Sequence, residues 1–228
     1  MPQRLALSAC VLVLALVFRG RAEDPAAVGP ARPTRPAAPT NLAAGVAATA
    51  TPAAETTNQV EKALELGYRA LQTGQTNAAI SLFKKVLTLE EKNRRARFGL
   101  ATVMIQTEQY KDAIALLEPL LVEFPKDYFL KNNLAWILAT ARDPAVRNGP
   151  RAVRLAQEAL LFAPKDSHVW STLAEAYFLC GNYDKAQRSA EQALQLSRDR
   201  NMEARLIKDY QQQVERCRKA AEAMSILE

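Results

Sequence analysis

The sequence predicts an all-α fold: a stacked array of four helical hairpins closed by a terminal helix. Three observations lead there. Ala79, Ala113, Ala152 and Ala186 recur at intervals of 34, 39 and 34 residues. Leu66, Leu100, Leu134 and Leu173 recur at 34, 34 and 39, each followed by a small residue, Gly67, Ala101, Ala135 or Ala174. The second and third units both close on the tripeptide Pro-Lys-Asp, at 125–127 and 164–166. A fixed interval of this length marks a solenoid, in which each hairpin buries its apolar side only against its neighbours.

The first 57 residues stand apart in composition. Met1 to Arg4 carries a positive charge, Leu5 to Phe18 is an apolar run of 14, and Gly20-Arg21-Ala22 offers small residues for cleavage. That order predicts a signal peptide or membrane anchor over 1–22. The run is short for a membrane span, which needs about 20 residues. Arg19 and Arg21 favour retention as an anchor, and Leu7-Ser8-Ala9-Cys10 spells a lipoprotein box inside the run, so cleavage, anchoring and lipidation all stay open. Residues 23–57 are rich in Ala, Pro and Thr, with prolines at 25, 30, 33, 36, 39 and 52. Repeated proline blocks helix, and Ala and Thr offer little to bury, which predicts a disordered tether.

The repeats span 58–200, as units 60–93, 94–127, 128–166 and 167–200. In units one, two and four the small residue and the alanine are 12 apart; in unit three the gap from Ala135 to Ala152 is 17, an insertion of five between its two helices. Two helices approach closely only where side chains are small, hence Gly or Ala at both points. Four residues after each alanine stands Phe83, Leu117, Ala156 or Ala190, and three further Val86, Leu120, Ala159 or Ala193. These offsets build one helical stripe. Pro125 and Pro164 end their units because proline disfavours helix in the residue before it; Glu91 and Arg198 hold the same place in the others. Over 201–228, Met202, Leu206, Tyr210, Val214, Cys217, Ala221 and Met224 recur at three and four, which predicts a helix that caps the last hairpin or pairs two copies of the chain as a homo-oligomer.

These residues resemble the tetratricopeptide (TPR) repeat, most closely in the fourth unit with Trp170, Leu173, Ala174, Tyr177, Gly181, Tyr183, Ala186 and Ala193. The third unit, with its run from Asn132 to Thr140 and its insertion, is similar to long-loop variants in bacterial TPR proteins. The resemblance implies a right-handed superhelix whose first helices line a concave groove for a protein or peptide. The implied groove residues are Tyr68, Arg95, Phe98, Thr102, Phe129, Asn132, Asn133, Trp136, His168 and Glu175. Tyr68, Phe98, Phe129 and Trp136 are expected to be open to a ligand, with packing against the next hairpin as the rival reading. Asn133 falls at a position that some TPR adaptors use to clamp a carboxylate, but Phe98, Thr102, His168 and Thr172 stand where its other members would be.

Chemistry is sparse. The single histidine, His168, and eight glycines without phosphate-loop spacing argue against an enzyme, a metal site or a cofactor. His168, at a helix start, reads as solvated or capping. A net charge of +6, thin and mixed with acids, argues against nucleic acid as partner, and the cluster Arg94, Arg95 and Arg97 reads as solvated surface or a contact for an acidic segment. Cys180 and Cys217 are expected to be buried free thiols, with a disulfide as the alternative in an oxidising compartment. A non-enzymatic scaffold is expected, periplasmic or secreted, or anchored in the envelope; the alternatives are an envelope-complex assembly factor or chaperone anchored by its N-terminus, or a self-associating structural protein.

Overall fold

The structure, a computed structural model, describes residues 52–226. The predicted leader, the lipoprotein box and most of the tether lie outside them. Nine helices follow in these residues: α1 (Pro52–Gln72), α2 (Thr76–Leu89), α3 (Arg94–Gln106), α4 (Tyr110–Glu123), α5 (Tyr128–Thr140), α6 (Gly149–Leu160), α7 (Ser167–Leu179), α8 (Tyr183–Asp199) and α9 (Ala204–Ser225). The predicted boundary at residue 57 moves back to 51, because Pro52 opens α1. Proline is well suited to a first helical turn, where its missing N–H has no intrahelical partner to lose.

Capping residues set the starts of the inner helices. The Asp127 carboxylate accepts from the N–H groups of Phe129 and Leu130, and Asp166 accepts from that of His168. Asn93 does the same for Ala96, in the unit that lacks the proline. Each Pro-Lys-Asp therefore stops one helix and caps the next. Three of the hairpins turn in three residues, 73–75, 107–109 and 180–182, whereas the third takes 141–148. The five-residue insertion is all loop.

The odd-numbered helices touch one another, α1 with α3, α5 with α7 and α7 with α9, while no even-numbered pair packs comparably. The odd helices thus form the inner layer and the even ones the splayed outer layer. Ala79, Ala113, Ala152 and Ala186 are fully buried at the hairpin crossings. Leu100, Leu134 and Leu173 are buried between hairpins, but Leu66 is 41% exposed because no hairpin precedes it. The core runs from Phe98 to Ala176, with the first hairpin's cluster packed beside it. At the far end α9 lies on α8 and buries Cys217 against Ala174, Ala186 and Ala190. No described helix is long and apolar enough to cross a membrane.

Candidate functional site

A groove of about 990 Å³ opens on the inner layer, between the C-terminal ends of α5 and α7 and the side of α9. Its floor is Tyr110, Trp136, Ala139, Phe178 and Leu179; its rim carries Glu108, Arg142, Arg147, Glu175, Lys208, Asp209, Glu215, Arg216 and Lys219. The terminal helix is therefore more than a cap, since it builds one wall. It is seated by a polar contact: Gln213 donates to the Ser171 carbonyl at 3.0 Å and to Glu175 at 2.7 Å, and accepts from the Ser171 hydroxyl at 2.9 Å. Arg216 adds an ion pair to Glu175 and lies over the Phe178 ring.

The predicted groove residues divide. Trp136 and Glu175 line the groove. The expectation that Tyr68, Phe98 and Trp136 are open is corrected: they are 8%, 5% and 4% exposed. The reason is that each ring is part of the core, Tyr68 in the first hairpin's cluster and Phe98 and Trp136 in the main one. Tyr68 meets Phe83 edge-on and donates from its hydroxyl to the Arg95 carbonyl at 2.7 Å, and burial pushes its ionisation well up. Phe129 is half-buried beside Tyr128. Thr102 and Thr172, at the places of clamp residues, are buried and donate to carbonyls four residues back in their own helices. His168 is not solvated: it is 5% exposed, its Nδ1 lies 3.1 Å from Asp166, and its ring meets Tyr210 of α9 edge-on. Glu175 is already engaged by Gln213 and Arg216.

The arginine cluster is not free surface either. Arg95 pairs with Glu61 of the preceding unit at 2.8 Å, Arg97 with Glu123 at 2.6 Å, and Arg94 with Asp127. The Arg95 pair ties the second unit to the first, and the other two join the ends of the second unit. Cys180 is exposed, not buried as expected, while Cys217 is buried, and both are free thiols. Among the described residues no three His, Cys, Asp or Glu side chains converge as metal ligands.

Four polar atoms on α5 and α7 are buried without a hydrogen-bond partner among the described residues: Asn132 Oδ1, Asn133 Nδ2, Trp136 Nε1 and His168 Nε2. Buried polar groups are almost always satisfied, so a row of four on neighbouring inner helices is a concentration of unmet hydrogen-bonding capacity. Sequence reasoning named all four residues. It missed Tyr110, Phe178, Arg142, Arg147 and the α9 wall. The available signals were the insertion at 141–148 and the polar residues of α9 that fall outside its apolar stripe.

Comparison with known proteins fits this architecture. Two tetratricopeptide-repeat family models match, one over residues 70–131 and one over 167–200. The stretch between them contains the lengthened third hairpin. A thermophilic TPR protein of Thermus thermophilus is similar in structure, with 19% identity, a TM-score of 0.53, and 72% of this chain and 98% of that one covered. MamA from Desulfovibrio magneticus RS-1 is similar at 15% identity and a TM-score of 0.54, covering 74% of this chain and 92% of that one. At these identities the likeness concerns the fold. No curated protein matches the sequence.

Proposed function

Because this chain is a tetratricopeptide-repeat protein, we propose that it is a non-enzymatic scaffold, exported or held at the cell envelope by its N-terminal segment, that binds a protein or peptide along its inner face. The observation that carries this reading is the open groove itself, with Trp136 in its floor and Gln211 and Gln212 on its α9 wall. Side-chain amides match the donors and acceptors of a peptide backbone. The apolar floor offers area for an anchoring side chain, and aromatic groups dominate such contacts. Binding by shape and hydrogen bonding involves no turnover. Residues 1–22 support export or anchoring, and the proline-rich stretch after them would let the array reach away from its attachment point.

The test is site-specific photo-crosslinking in the native host. A photoreactive residue at Gln212, in the groove wall, is expected to yield a discrete protein adduct, and one at Gln192 on the outer face of α8 is not. Adducts of equal yield at both positions, or none at Gln212, would refute groove binding. Mass measurement of the mature N-terminus decides between cleavage after about residue 22 and retention.

A further inference from the structure

The one departure of the array from its own repeat, the loop 141–148, forms part of the groove's rim. The loop is a fixed platform. Asp143 accepts from the Ala145 N–H at 2.9 Å, Arg147 N–H donates to the Pro144 carbonyl at 3.1 Å, and Asn148 N–H to the Leu138 carbonyl at 2.9 Å. Val146 and Ala141 are buried, which pins the loop to the core. It raises two arginines beside the floor, and they differ in one respect. Arg142 is paired with Glu108 at 3.2 Å. Arg147 directs Nε to the Ala141 carbonyl and Nη2 to that of Arg142, and forms no ion pair among the described residues.

Among the other rim cations, Arg216 meets Glu175 at 2.6 Å and Lys219 meets Glu215 at 3.4 Å. Lys208 forms no ion pair among the described residues, but its ammonium is a point charge without the planar fork of a guanidinium. The guanidinium of Arg147 therefore has both charge and donor capacity to spare, at the edge of an apolar floor. A guanidinium presents five N–H donors in a planar fork that suits a carboxylate.

We infer that the inserted loop selects the occupant of the groove: Arg147 receives the carboxylate of a Glu or Asp in a partner polypeptide whose neighbouring apolar side chain rests on Phe178 and Leu179. This rests on the groove reading proposed above and adds the chemistry of the partner. The chain's own first 51 residues fit poorly, with five Arg against only Glu23 and Asp24. The occupant is accordingly a separate protein segment, apolar with an adjoining acid. Charge at the rim governs which partner is accepted more than how tightly any partner holds.

The test uses the full chain and fluorescein-labelled synthetic peptides with blocked ends, each carrying a Leu-Phe anchor in a Ser/Gly/Ala background. Glu, Gln or Lys occupies one flanking position, and binding is read by anisotropy. Glu peptides are expected to bind about tenfold more tightly than Gln peptides. Arg147→Glu, checked for folding by circular dichroism, transfers the preference to Lys peptides. Binding without charge preference, or a Glu preference that survives Arg147→Glu, overturns the inference and leaves groove binding intact. Equal binding to Gln212→Trp, which obstructs the groove, removes both readings. Absence of binding by the whole set also overturns the inference.

Discussion

The ring of Phe83 occupies the space that a side chain on Gly99 would need: a Cβ there would lie 2.4 Å from Cζ and 2.6 Å from Cε1. The same ring closes on Gly67, where a Cβ would lie 2.9 Å from Cε1. One phenylalanine of α2 thus sits between glycines of α1 and α3 and locks the first unit to the second. Gly99→Ala is expected to overpack this seam and cost roughly 1–3 kcal/mol, measured by urea denaturation. Phe83→Leu should restore part of that loss in the double variant, as a positive coupling in a double-mutant cycle. Additive losses would mean that the two residues do not compete for the same space.

A second prediction concerns hairpin turns. Gly74 and Gly181 stand at equivalent turn positions with φ of +72° and +75°, and Glu108 holds the same place at +60°. A left-handed backbone is strained for a residue with a Cβ, by about 1–2 kcal/mol. Glu108→Gly and Glu108→Ala both remove the ion pair to Arg142, so their difference isolates the backbone term. The glycine variant should melt higher than the alanine variant by roughly 2–4 °C per kcal/mol of strain relieved. Equal melting would show that the turn relaxes without glycine.

The repeat was legible because it is written in small residues. Ala79, Ala113, Ala152 and Ala186 tolerate nothing larger at the crossings, so the spacing of the hairpins survives in one sequence. The groove was only partly legible. The TPR resemblance placed Tyr68, Phe98 and Trp136 on the groove side, yet their burial depends on how closely neighbouring helices approach, a tertiary distance that the repeat pattern does not contain. Arg147 was hidden for another reason. Its place on the rim follows from the path of the inserted loop, and loop paths depend on hydrogen bonds such as Asn148 to the Leu138 carbonyl.

The seat of α9 gives a third prediction. Gln213 is 8% exposed and answers three polar groups of α7 at once. Gln213→Ala leaves Ser171 and Glu175 with unmet hydrogen bonds, at a cost of roughly 1–3 kcal/mol. Hydrogen exchange should quicken across α9 while α1 to α4 stay as protected as before, since the units of a solenoid communicate only through neighbours. Unchanged exchange in α9 would mean that its apolar stripe alone holds it.

Cys217 provides the prediction that separates burial from charge. Burial pushes its thiol up to about 11, from 9.0, with Arg216 opposing and Glu175 adding to the rise. The folded chain therefore keeps this proton in a pH range where the unfolded chain has released it. Its contribution to stability is complete below pH 9.0 and is lost as pH rises toward about 11. Cys217→Ala removes that dependence at the expense of a small cavity. The stability difference between wild type and this variant is expected to hold constant up to pH 9.0 and to narrow above it. In the same chain Cys180, exposed at the end of α7, should be alkylated by iodoacetamide under native conditions, with Cys217 modified only on unfolding. A difference that stays flat to about pH 11, or prompt native alkylation of Cys217, would mean that α9 leaves the array often enough for the thiol to meet solvent.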